Sequence, residues 1–320
     1  MGKDIGVKEE MSRAEERRMS KKKKQKAHYT KKQILTGYAF LAPFLIVFFV
    51  FTVVPIIASI VLSFTYFNGF AMPTFAGFSN YIKLFLKDEL FMKALSNTLT
   101  FALVTGPLSY FLCLVLAWVV SEFPPKIRSF LTLLFYAPSI SGGVYLVFTI
   151  IFSENRYGWM NSMLMKLGIT YKPIYWLTDE KYMFWVALIV ILWTSLGTSF
   201  LSFIAGFLNI DQSLYEAGAI DGVSNRWQEL WYITLPSMKP QLLFGAVMSI
   251  TGSFGIGPVL DGIFGNPSTG YALYTMVHEL SDYANIRLEL GYASAIATVL
   301  FAIMLLANRA VQKLISKVGD

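Results

Sequence analysis

Six apolar stretches, each 18 or more residues long and free of Lys, Arg, Asp and Glu, alternate with segments that hold every charge in the chain. A helix needs about 20 apolar residues to cross a bilayer, because water is absent there and each backbone polar group must be satisfied within the segment. The pattern predicts an all-α integral membrane protein with spans at about 35–67, 96–120, 130–152, 182–208, 240–260 and 291–308. Residues 34–320 then form one membrane domain. Composition agrees: 55% of the 320 residues are hydrophobic and 15% charged, where an ordinary soluble domain carries about 25% charged.

Residues 1–33 are polar and basic and include the run Lys21-Lys22-Lys23-Lys24. Too little apolar surface is present for this tail to fold alone, so it is read as a disordered arm. Nucleic acid also attracts such runs, but a span that follows at once favours a cytoplasmic arm beside anionic membrane lipid. Of the 27 Lys and Arg residues, 19 fall in the segments that share a side with the amino terminus. Excess positive charge marks the cytoplasmic side, so both termini and the stretch 210–240 are assigned there.

The spans hold no ionisable group for a coupling ion, which argues against a proton- or sodium-driven carrier, the alternative from another class. One cysteine and two scattered histidines leave no basis for a disulfide, a metal site or a nucleophilic triad. The phosphate-cradling pattern GxxxxGK[ST] is absent, so this chain is read as non-catalytic, and any nucleotide chemistry belongs on another polypeptide.

Within 210–240, Asp211 or Ser213 is placed to cap a helix over Leu214–Ile220, with Glu216 in its first turn. Ala217, Gly218 and Ala219 are small enough to admit a neighbouring backbone. Asp221-Gly222 then turns the chain. Arg226, Trp227, Leu230, Trp231 and Ile233 give a second short helix one apolar side, and Leu235-Pro236 leads back to the bilayer.

The order Glu216-Ala217-Gly218, Asp221-Gly222, Ile233-Thr234-Leu235-Pro236 resembles the EAA loop of binding-protein-dependent ABC importer permeases. Leu41-Ala42-Pro43, Gly77-Phe78-Ser79-Asn80-Tyr81, Asn97-Thr98 and Tyr157-Gly158 with Asn161 resemble the carbohydrate-uptake branch of that family. The resemblance implies a type I importer (MetI-like) fold of six helices and a cytoplasmic coupling helix seated on a separate ATPase. It implies ATPase-coupling roles for Glu216, Ala217, Gly218, Asp221, Gly222, Arg226, Trp227, Ile233, Leu235 and Pro236. It further implies a second permease, two ATPase subunits that hold ATP and Mg, and an extracytoplasmic binding protein that delivers an oligosaccharide or other sugar. Two departures stand out. Gly218 replaces the usual alanine, and ten residues separate Gly222 from Ile233, one more than the pattern, which predicts a rotated or bulged second helix.

A sugar path wants aromatic faces and uncharged hydrogen-bonding groups. Tyr136 and Tyr145 in the third span, Trp193, Thr194, Gly197 and Phe200 in the fourth, and Thr251, Gly252 and Ser253 in the fifth are the candidates. Small residues also mediate close helix packing and aromatics fill gaps, so helix packing is the competing reading of each. A glycerol phosphate importer of the same architecture is the within-family alternative, although a phosphate path wants basic groups.

Overall fold

The computed structural model describes residues 31–143 and 145–316. All but the last three residues of the expected basic arm lie outside the described residues. The chain divides after Ala58 into two compact units.

The first unit holds α1 (Lys31–Phe48), a π turn over Phe49–Val53 and the start of α2 (Val54–Leu62). In that turn the Val54 N–H reaches back five residues to the Phe49 carbonyl. Pro55, directly after, has no N–H to offer the preceding turn, which is where a wider turn relieves the ladder. Leu35–Leu62 is long and apolar enough to cross a membrane.

The second unit opens with a two-stranded antiparallel hairpin, β1 (Thr65–Tyr66) and β2 (Thr74–Phe75), and the short helix α3 (Ser79–Leu86). Buried Asn80 fastens them, its Nδ2 donating to the Ser63 carbonyl at 2.8 Å and the Thr65 carbonyl at 3.0 Å. Helix α4 (Glu89–Ser121) begins seven residues before the expected second span, because Asp88 caps it by accepting from the Phe91 N–H at 3.0 Å.

Three of the expected spans are bent. Helix α5 (Pro125–Ile140) breaks at Gly142-Gly143 before α6 (Tyr145–Ile151), at 91°. After α7 (Trp159–Lys166), α8 (Glu180–Thr194) turns 45° at Gly197 into α9 (Thr198–Leu208). Helix α13 (Lys239–Phe254) turns 44° at Gly255 into α14 (Gly257–Phe264). Glycine allows the turn, and Pro258 in the first turn of α14 needs no donor partner. Between these pairs lie α10 (Gln212–Ile220), α11 (Arg226–Glu229), a π turn over Leu230–Thr234 and α12 (Leu235–Ser237). Helix α15 (Met276–Ser281) precedes the last helix, α16 (Leu290–Ile315). Among the described residues, three helices are long and apolar enough to cross a membrane, or up to six if each bent pair is one span.

Helices α4, α9 and α13 pack mutually, and α16 lies against α13. Their core joins Cys113 and Ala117 of α4 to Phe200 and Phe203 of α9 and to Leu242 of α13, all buried. Close approach depends on glycine: a Cβ at Gly245 would run into the Phe203 ring, and one at Gly206 would stand 2.6 Å from the Met238 Cε. Gly245→Val should therefore overpack the α9–α13 seam and cost about 1–3 kcal/mol. A lower thermal midpoint of the purified protein in detergent is the expected result.

Candidate functional site: a short helix–turn–helix stretch and a hydroxyl-lined cavity

Asp211, rather than Ser213, caps α10, its Oδ1 accepting from the Ser213 N–H at 3.0 Å. The helix thus starts at Gln212, and Glu216 falls in its second turn instead of its first. Gly222 at φ +95° makes the turn, in a region where a side chain is strained. Asn225 then caps α11 through the Gln228 N–H at 2.9 Å.

The ten-residue interval after Gly222 includes a π turn. Residues 230–234 form i→i+5 bonds, which close around one more residue than an α turn does. That bulge is the second helix's departure from regular α geometry, and it leaves Thr234 and Leu235 buried while Trp231 and Tyr232 face outward. Gly218 is buried because Ile233 packs over it: an alanine Cβ there would stand 2.5 Å from the Ile233 Cδ1. Glu216, Ala217, Ile220 and Asp221 are exposed. Tyr215 and Thr234 share a hydroxyl–hydroxyl bond of 2.9 Å that ties α10 to the π turn.

Arg226 and Trp227 point back at their own chain. The Arg226 guanidinium donates to Glu229 at 2.9 Å and to Glu122, just past the end of α4, at 3.1 Å. Trp227 meets Trp118 of α4 edge to face, with ring centroids 5.2 Å apart.

A second feature lies deeper in the bundle. A cavity of about 190 Å³ is lined by Thr105 and Ser109 of α4, Thr194 of α8, Ser195 at the bend, Thr198 and Ser199 of α9, and Ser249, Gly252 and Ser253 of α13, with apolar Ile191, Met248, Ile256 and Val259. No charged side chain lines it. Several of its hydroxyls give their proton to a backbone carbonyl: Thr105 to Phe101, Ser109 to Gly106, Thr194 to Val190, Ser195 to Leu192 and Ser253 to Ile250, at 2.7–3.0 Å. Each such oxygen keeps lone pairs and so presents an acceptor.

Of the expected path residues, Thr194, Gly252 and Ser253 meet in this cavity. The others lie elsewhere. Phe200 is buried in the apolar core against Phe135. Trp193 packs edge to face on Phe148, Tyr145 covers Gly262, and Gly197 sits against Ser139. Thr251 is exposed with its hydroxyl on the Val247 carbonyl, and Tyr136 is half-buried on α5. The α4 wall was not among the expected residues. Its signal was present: Thr98, Thr105 and Ser109, spaced seven and four, share one helix face and are all buried.

A family model described as the inner membrane component of binding-protein-dependent transport systems matches residues 125–319, from the start of α5 through the coupling stretch to α16. The chain belongs to this family. The permease is 34% identical to the probable ABC transporter permease protein YesP of Bacillus subtilis over 87% of its own length and 90% of the relative's. It is 31% identical to the arabinooligosaccharides transport system permease protein AraP of the same organism, covering 88% of each chain. Its fold matches a chain in the crystal structure of a bacterial ABC transporter that imports the acidic polysaccharide alginate, with a TM-score of 0.70, 24% identity, and coverage of 88% of the permease and 96% of that chain. Members of this family are the membrane subunits of importers and are not themselves catalytic.

Beyond the cavity, the segment before α16 carries two buried titratable groups of the permease. The Thr275 N–H donates to the His278 Nδ1 at 2.8 Å, so the ring proton sits on Nε2 and faces Asp261 of α14 at 2.9 Å. Burial holds the imidazole below its ordinary pKa, against the pull of Asp261. Glu279, 1% exposed, has no hydrogen bond of good geometry to either carboxylate oxygen. Burial pushes its pKa up to about 6; the Tyr274 hydroxyl and Arg287 oppose this, while Asp88 and Asp282 reinforce it. The folded chain therefore binds more protons at Glu279 than the unfolded chain does, and stability declines as pH rises through about 6. Glu279→Gln should raise the thermal midpoint at pH 7.5 by the equivalent of about 1–2 kcal/mol. Melting curves of both proteins should converge below about pH 4, under the unfolded carboxyl's value of 4.5; a gap that widens in acid would contradict the assignment.

Proposed function

We propose that this permease is one membrane subunit of an ATP-driven importer for an oligosaccharide or related sugar. A second permease completes the path, two ATPase subunits hold ATP and Mg, and an extracytoplasmic binding protein delivers the solute. Both termini and the Glu216–Pro236 stretch are cytoplasmic, on the strength of the Lys and Arg bias. ATP binding draws the ATPases together, moves the stretch, and opens the path on alternate sides.

The observation that carries the reading is the cavity. A polyol brings many O–H donors and no charge, and the cavity offers several acceptors, small side chains and no charge. Relatives named for arabinooligosaccharide and lactose transport support a sugar as the solute. A phosphate ester finds no basic group on this lining.

The exposed face of α10, with Glu216, Ala217, Ile220 and Asp221, and the outward Trp231 and Tyr232 form the surface offered to the ATPase. Gly218, Ile233, Leu235 and Pro236 support that face from beneath, and Gly222 sets its turn.

Two substitutions test the two parts separately in the complex reconstituted with its binding protein. Glu216→Lys reverses charge on the docking face and should lower ATPase stimulation by loaded binding protein. Gly252→Val fills the cavity from a position whose Cβ meets nothing within 4 Å. Uptake should fall about ten- to a hundredfold, in the range that one or two misplaced methyl groups bring, with the thermal midpoint little changed. Full uptake by Gly252→Val would remove the cavity from the path.

A further inference from the structure

We propose that Arg226 and Trp227 are positioning residues that act inside this chain, fastening the coupling stretch to the lower end of α4 so that its displacement reaches the cavity wall. The proposal rests on the importer reading above. Three observations carry it.

First, the attachment is double. Arg226 bridges Glu229 of its own helix and Glu122, whose N–H closes the last turn of α4 on the Val119 and Val120 carbonyls. Trp227 and Trp118 add an aromatic contact one turn nearer the bundle. Second, the attachment spans open space. A crevice of about 590 Å³, lined by Trp118, Glu122, Tyr215, Arg226, Glu229 and Thr234 among others, lies between the stretch and the helix ends, and beside it only Leu230 and Leu235 of the second helix reach the buried core. Third, α4 carries a proline at the level of the cavity. Pro107 lies inside α4, where it withdraws an N–H from the Leu103 carbonyl, and it is flanked by the cavity residues Thr105 and Ser109. Gly106 faces Ser253 of α13 across the seam, at 3.4 Å from where its Cβ would be.

Ser109 and Glu122 are 13 residues apart, about 20 Å along a helix. A push on Glu122 and Trp118 therefore swings the lower half of α4 about Gly106-Pro107. The α4 wall then moves against Ser253, and the cavity changes shape. Neither Arg226 nor Trp227 needs to touch the ATPase for this.

The test uses the full complex with its ATPases and loaded binding protein, comparing Glu122→Gln, Arg226→Gln, the double variant and Arg226→Lys. The readouts are co-purification of the ATPase subunits and solute imported per ATP hydrolysed. Both single variants should keep the ATPases bound and lower that ratio about two- to fivefold, the range open to a half-exposed ion pair. The double variant should be no worse than the weaker single, and Arg226→Lys should retain most of the ratio. Additive losses in the double variant overturn the proposal. So does loss of the ATPases from Arg226→Gln alone, since that makes Arg226 a docking residue. A wild-type complex with no stimulated hydrolysis overturns the importer reading itself.

Discussion

A helix that bends inside a hydrocarbon layer exposes backbone groups that nothing there can satisfy, so every break must be housed within protein. This condition organises the bundle. The bends at Gly197 and Gly255 bring α8–α9 and α13–α14 together around α4. Serine and threonine hydroxyls gather at the same level, bonded to nearby carbonyls. The cavity is what the bends enclose. Its polarity follows from the need to stabilise broken helices as much as from any ligand.

Rigidity is distributed accordingly. The α9–α13 seam is closed by ring-on-glycine contacts such as Phe203 over Gly245, which tolerate little movement. The stretch over 211–236 meets the α4–α9–α13 core through Leu230 and Leu235, and through the Arg226 and Trp227 contacts beside a crevice.

Much of this was legible in the residues. Uncharged runs locate the long helices, Asp211 and Gly222 are readable as cap and turn, and the extra residue before Ile233 anticipates a bulge, which takes the form of a π turn. The bends were harder to read, because glycine pairs in membrane helices serve packing as often as they serve breaks. The cavity's α4 wall is hard to read because Thr105 and Ser109 sit singly in a long apolar run. Trp193, Tyr145 and Phe200 are large enough to be spent on packing, whereas Thr105 and Ser109 are small enough to leave room beside them. Likewise Arg226 reads as a surface charge until Glu122, 104 residues away, is seen beside it.

The direction of the hydroxyl protons has a consequence for what such a wall can recognise. Oxygens whose protons are committed to carbonyls form a row of near-equivalent sockets, each contributing about 1 kcal/mol or less to a passing donor. No socket prefers one hydroxyl's stereochemistry over its neighbour's. A surface of that kind lets a polyhydroxylated solute slide from one set of bonds to the next without a deep well, and leaves discrimination to whatever hands the solute over.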